Sequence, residues 1–152
     1  PKVASSVNLQ RLRFRPVVKG TEADFVNAHI RLGRGLPHLQ LPFPGREPEA
    51  FIVVCSTVAE NPGIDIDLGI SLQSMSLKAA EMGLGGIIIR NFDREDLRDG
   101  LSLPYEPLAV LAVGKPAEKI ELVPVHEGDD LGYYRREGIH YVPKLTVEDL
   151  II

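Results

Sequence analysis

The chain has 152 residues and a formal net charge of −4, a length that suits one domain able to bury roughly two-thirds of its unfolded surface and an acidic balance that gives no electrostatic reason to expect nucleic acid as a partner. Its single cysteine, Cys55, excludes an intrachain disulfide and fits a reducing cytoplasm. No apolar run approaches the roughly 20 residues that span a bilayer, and no signal-peptide pattern opens the chain, which starts at Pro1 without an initiator methionine. Residues are therefore expected upstream.

Residues 1–10, PKVASSVNLQ, read as a loop rich in side chains that hydrogen-bond. Leu12 to Lys19 is a candidate strand that Pro16 pushes to a sheet edge. Thr21 with Asp24 approximates a capping box, and Phe25, Ala28 and Leu32 give the apolar face of a short helix. The Gly- and Pro-rich residues 33–48 predict an irregular excursion, of the kind that often shapes a binding site. Phe51 to Ser56, FIVVCS, reads as a buried strand.

The longest periodic stretch follows. Ile64, Leu68, Leu72, Met75, Ala79 and Met82 recur at steps of three and four, the stripe of one helix face. Pro62 suits the first turn of that helix and Gly83 the left-handed residue after its last. Ile87 to Ile89 then form an apolar run typical of a strand buried on both faces. Asp93 to Asp99, closed by Gly100, predicts a short helix with Asp93 as N-cap and carboxylates in its first turn. Leu108 to Val113 is a fourth strand, and residues 120–125 a fifth, weakened by Pro124. The tail from Glu127 is polar and aromatic until its apolar end, VEDLII, which is expected to lie on another surface. Helices on a sheet, in layers, are the expected architecture.

Several motifs fail on inspection. Gly83-Leu84-Gly85-Gly86 closes a helix and precedes a strand, the reverse of the dinucleotide-binding order. No GxxxxGK[ST], CxxC or HExxH occurs, and the four histidines lack ligand spacing, so no metal is expected. Cys55, inside FIVVCS, reads as a small core residue rather than a nucleophile. Asp65 and Asp67 read as first-turn acids that complement the helix dipole. Arg135 and Arg136 beside Tyr133 and Tyr134 lie among acidic residues and read as a solvated face rather than an RNA surface.

Four stretches, in order, resemble the flavin-dependent nitroreductase family. ASSVNLQRL, from Ala4, is similar to the family segment P-S-x-x-N-x-Q-P, with Ser5, Asn8, Gln10 and Leu12 in matching places and Ala4 and Arg11 where prolines are usual. The stretch from Asp67 to Pro104 resembles the family's long helix, its G-L-G turn, its strand and its short capped helix. LAVLAVGKP matches a strand ending in a G-x-P turn, and YYRREGIHYVPK the C-terminal segment with a basic phosphate contact. The likeness covers nearly the whole chain, 1–152, as one domain. The arginine-rich first-helix motif of the family is not in this sequence, and Leu145 stands where a second basic residue is frequent.

The resemblance implies an α+β, three-layer fold with a central, mainly antiparallel sheet flanked by helices, in an intertwined homodimer with no membrane segment. It implies FMN as cofactor and NAD(P)H as reductant, with hydride passing through flavin N5 to nitro compounds, quinones or similar acceptors, in the cytoplasm. By position, Ser5, Ser6 and Asn8 are expected to contact the flavin and Gln10 to lie near its ring. Arg90 and Asn91 are expected to present main-chain groups at N5, and Lys144 to hold the phosphate. No side chain is expected to act as nucleophile. Two other readings stand beside this one: a non-catalytic flavin- or ligand-binding protein on the same fold, and a structural dimer without flavin.

Overall fold

Two apolar runs become the central strands of a four-stranded antiparallel sheet. The computed structural model describes residues 2–33, 36, 38–39 and 41–152. The chain divides into one compact unit of Pro1–Leu32 with Leu41–Lys115, and a second of Gly33–Gln40 with Pro116–Ile152. The first unit holds strand β1 (Leu12–Val18), helix α1 (Thr21–His29), β2 (Ala50–Ser56), α2 (Pro62–Glu81), β3 (Gly85–Ile89), α3 (Arg94–Gly100) and β4 (Glu106–Gly114). Its strand order is β1-β2-β4-β3, every pair antiparallel.

The period-two geometry of a strand sends alternate side chains to opposite faces, and both faces of β2 and β4 are covered. Phe51, Val53 and Cys55, with Val17, Val110 and Ala112, pack against Ala23, Val26 and Ile30 from α1 and its end, and against Leu97 and Leu101 from α3 and its end. On the other face Val54, Leu108 and Leu111 pack against Ile64, Leu68 and Leu72 of α2. Each such side chain contributes about 1.5–3 kcal/mol when fully buried. The result is an α+β arrangement of three layers, helix on sheet on helices, as expected from the sequence.

Several local expectations need correction. The stripe of α2 is buried at Ile64, Leu68, Leu72 and Ala79, and Met75 packs at its margin, but Met82 falls past the last turn and is exposed. The strand at Ile87 to Ile89 is an edge strand; Ile87 and Ile88 are 48% and 44% exposed because, among the described residues, nothing in this chain pairs beyond β3. Helix α1 has Gly20, not Thr21, as N-cap, without a side-chain cap bond. Its buried face is Ala23, Val26 and Ile30; Phe25 and Leu32 are only partly buried and Ala28 is exposed. Of the 33–48 excursion, the described residues form turns and bends, and residues 34, 35, 37 and 40 lie outside the described residues.

The second unit was largely hidden in the sequence. Beyond the expected fifth strand, β5 (Lys119–Val125), the polar tail folds into β6 (Tyr134–Arg136), β7 (Ile139–Leu145) and a short helix α4 (Val147–Leu150). The strand order is β5-β7-β6, with β5 parallel and β6 antiparallel to β7. Glu137 and Gly138, both at positive φ, make the two-residue turn that joins β6 to β7. Pro124 is tolerated because β5 is an edge strand. Pro143 is tolerated in the middle strand because β6 pairs only with Ile139 to Tyr141. Across this sheet Glu118 accepts two hydrogen bonds from Arg135, at 2.7 and 2.8 Å, and those bonds hold its carboxyl below the usual range.

Gly100 does more than end α3. It is the last helical residue, and a Cβ there would overlap the ring of Phe25, which stacks on His29 with centroids 4.0 Å apart. Gly100→Ala is expected to push that ring off its site and to destabilise the unit by about 1–3 kcal/mol, read as a lower midpoint in urea unfolding with little change in slope.

Candidate functional site

The register of the sheet brings distant segments to one end of the first unit. Leu12 pairs with Ser56, and Ser56 with Glu106, so the start of β1, the end of β2 and the start of β4 lie in one row. β3 runs toward that same end and finishes opposite Val110. The N-termini of α2 and α3, which follow β2 and β3, are therefore at this end too. So are the loop before β1 and the β3–α3 link, which carry Ser5, Ser6, Asn8 and Gln10, and Arg90 and Asn91, respectively.

The 5–10 loop is held in an unusual conformation. It contains a single 3-10 turn, Ser6–Asn8, and Val7, Asn8 and Gln10 lie at φ of 49°, 55° and 49°. A β-branched residue at positive φ is strained, and such strain persists only where surrounding bonds impose it. Those bonds are present. The Gln10 N–H donates to Ser5 Oγ at 3.2 Å, Gln10 Nε2 donates to Asn8 Oδ1 at 3.1 Å, and the Thr57 N–H donates to the Arg11 carbonyl at 3.0 Å. Ser6, Asn8 and Gln10 remain exposed and Ser5 half-buried.

Asp67 is the anchor that the sequence reading missed. It is not a first-turn dipole acid; only Asp65 has that place. Asp67 is 3% exposed, and its Oδ1 accepts the Ser6 N–H at 2.6 Å. The loop thus lies on the first turns of α2, whose N-cap Asn61 accepts from Gly63 and Ile64 N–H at 3.1 and 3.2 Å. A Cβ on Gly63 would stand 3.7 Å from Ser6 Oγ. The aligned peptide dipoles of this 20-residue helix place partial positive charge beneath the loop.

The β3–α3 link is tied down from two sides. The Asn91 carbonyl accepts the Arg31 N–H at 2.9 Å, and Phe92 makes an isolated antiparallel bridge to Ile30. On the other side the Arg90 guanidinium pairs with Glu60 and stands 3.5 Å from Asp65, and Arg94 donates to Glu60 at 2.8 Å. Asp93 caps α3 as expected, accepting the Asp96 N–H at 3.0 Å. A cleft of about 320 Å³ opens at this end, with Ser56, Thr57, Glu60, Arg94, Tyr105 and Glu106 in its wall.

Lys144 belongs to the second unit, on β7, where it is exposed and has no ion pair among the described residues. The first unit carries Ser5, Ser6, Asn8 and Gln10, before its edge strand β1, and Arg90 and Asn91, after its other edge strand β3, at the same end of the sheet. Cys55 is buried in the core and burial pushes its thiol up to about 11, which fits a packing role. Among the described residues no group of three or more His, Cys, Asp or Glu side chains stands ready to hold a metal ion, and no helix is long and apolar enough to cross a membrane.

The nitroreductase family profile matches residues 9–115, more than half of the sequence, and the chain belongs to the nitroreductase family. Gln10, Arg90 and Asn91 fall inside the matched span; Ser5, Ser6, Asn8 and Lys144 fall outside it. Solved structures share the fold. A nitroreductase family protein from Clostridium novyi NT is 18% identical, with a TM-score of 0.60 over 76% of this chain and 66% of that one. An FMN-dependent nitroreductase from Clostridium difficile R20291 is 20% identical, with a TM-score of 0.62 over 78% of this chain and 70% of that one. An FMN and NADPH-dependent nitroreductase from Sphigopyxis sp. strain HMH is 16% identical, with a TM-score of 0.60 over 76% and 74%. This chain thus spans about two-thirds of the first of these structures. No curated protein gives a significant match.

Asp67→Ala strips the Ser6 N–H of its acceptor. It is expected to cost about 1–3 kcal/mol of stability and to speed amide exchange across residues 5–10, while Asp67→Asn, which keeps an acceptor oxygen, retains most of both.

Proposed function

We propose that the chain is an FMN-dependent oxidoreductase that takes reducing equivalents from NAD(P)H and delivers them to nitro compounds, quinones or similar acceptors. The observation that carries this reading is the convergence of two motif fragments about 80 residues apart, the 5–10 loop and the 90–91 link, on one end of the sheet around the N-terminus of α2. The whole chain, 1–152, is read as one working domain of the nitroreductase type, and the cytoplasm as its compartment.

The residues present fit a flavin mononucleotide. Exposed Ser6, Asn8 and Gln10, with Ser5, offer the hydroxyl and amide groups that a pyrimidine edge requires. Main-chain groups of Arg90 and Asn91 would face N5, and Lys144 would neutralise phosphate charge. When bound, FMN supplies two-electron hydride chemistry. The chain's part is to bind and orient. The strained loop presents its side chains already arranged, so little ordering entropy is lost on binding, and no side chain serves as nucleophile.

A second copy of the chain is the proposed partner. Ile66, Ile70 and Leu77 form an exposed apolar stripe on the face of α2 turned away from the sheet, and Ile87 and Ile88 lie exposed on β3.

The test is an absorbance spectrum of the pure protein with added FMN, followed by NAD(P)H without oxygen. A bound-flavin spectrum that bleaches is the expected outcome, and Lys144→Ala is expected to weaken FMN binding roughly tenfold or more. Flavin that binds but never bleaches would replace the enzyme reading by a binding one, and no uptake of flavin would end both. For the dimer, light scattering of the double variant Ile70→Asp, Leu77→Asp is expected to give half the wild-type mass; an unchanged mass would place the interface elsewhere.

A further inference from the structure

The side chain of Arg90 has no part in the reading above, which uses only its backbone, yet the structure spends two carboxylates on it. Glu60 Oε1 accepts from Arg90 Nη2, Glu60 Oε2 accepts from Arg94 Nη1 at 2.8 Å, and Asp65 Oδ1 stands 3.5 Å from Arg90 Nη1. Arg90 directly follows the last residue of β3, and Arg94 is the first residue of α3. The two bridges therefore bracket Asn91, Phe92 and Asp93, and a single carboxylate holds both ends.

The charges also decide what this cluster is not. Two guanidiniums face two carboxylates, so Arg90 and Arg94 are neutralised in place and leave no net positive charge for a phosphate. Their geometry is that of a clamp. The Glu60 side chain is largely sheltered, at 26% exposed, and the hydrogen bond from Arg94 holds its carboxyl below the usual range, so it is ionised at neutral pH. Glu60 directly precedes Asn61, the N-cap of α2. The clamp thus fastens the β3–α3 link to the same helix start that Asp67 fastens to the 5–10 loop.

We propose that Glu60 is a positioning residue: by bridging Arg90 and Arg94 it fixes the main-chain groups of Arg90 and Asn91 where the flavin ring is to be met. This rests on the flavin reading above. Glutamine at position 60 keeps one acceptor oxygen and turns an N–H₂ group toward the other guanidinium, so one bridge is lost and a donor faces a donor. Aspartate keeps both acceptors and the charge on a shorter stem.

The experiment compares wild type, Glu60→Gln and Glu60→Asp. Amide exchange is measured across residues 89–94 in flavin-free protein, then FMN affinity by titration, then the rate of flavin reduction by NAD(P)H. Glu60→Gln is expected to exchange faster at 90–92 and to reduce on the order of 10- to 100-fold more slowly, the effect of a small misplacement of reacting groups. FMN affinity is expected to change little, and Glu60→Asp to recover part of the loss. Exchange and reduction rates equal to wild type in Glu60→Gln would overturn the proposal while leaving the flavin reading intact. A wild type that takes up no FMN would overturn both. If circular dichroism shows Glu60→Gln unfolded, Arg94→Gln removes one bridge from the opposite side and the same measurements decide.

Discussion

The structure of the first unit depends on how the start of α2 is held. A helix N-terminus exposes four N–H groups without partners, and here Asn61 satisfies two of them. The surrounding acids then work outward rather than inward. Asp67 reaches back to the backbone of the 5–10 loop, and Glu60 and Asp65 reach across to the arginines around the β3–α3 link. The start of one helix therefore serves as the common support for two segments that lie far apart in the sequence. A buried carboxylate such as Asp67 is costly unless it is hydrogen-bonded, so the bond to Ser6 and the position of the loop are linked outcomes.

The sheet makes this possible by geometry alone. Antiparallel pairing puts the start of β1 beside the end of β2 and the start of β4. The helix-containing connection between β2 and β3 carries the chain across to the far edge, so that β3 ends near the same row. With helices on both faces, the central strands have no solvent-facing side, and their apolar runs need no alternation. What is left exposed is the end of the sheet, where loops are free to carry polar groups.

Much of this arrangement was legible in the sequence, for particular reasons. FIVVCS and LAVLAV had the composition of doubly covered strands, and the stripe from Ile64 to Ala79, with Pro62 before it and Gly83 after, could be read as a helix with both ends marked. Ile87 to Ile89 shared that composition, but whether an apolar strand sits in the middle or at the edge is decided by pairing, which composition does not encode. Asp67 was hidden because an acid near a helix start has an adequate local explanation, and its actual partner is 61 residues away. The clamp at Glu60 was hidden likewise, since its arginines lie 30 and 34 residues further on. In the second unit β6 and β7 mix charged, aromatic, aliphatic and proline residues, a pattern that masks a strand, and the Glu137-Gly138 pair, the one local mark of a hairpin there, was not read as one.

The two edges of the sheet are protected in very different ways. β1 carries Pro16, Arg13 and Arg15, whose missing donor and like charges discourage another strand from pairing with it. β3 reads Gly-Gly-Ile-Ile-Ile, with no charge, no proline and no bulge in its pairing with β4. Such a segment is a template for further strand addition wherever it stays uncovered, and short uncharged β-branched runs are the ones that stack into insoluble assemblies. Anything that covers β3 would therefore act as a solubility device, and stripping such a cover would favour precipitation over the dispersed, native protein.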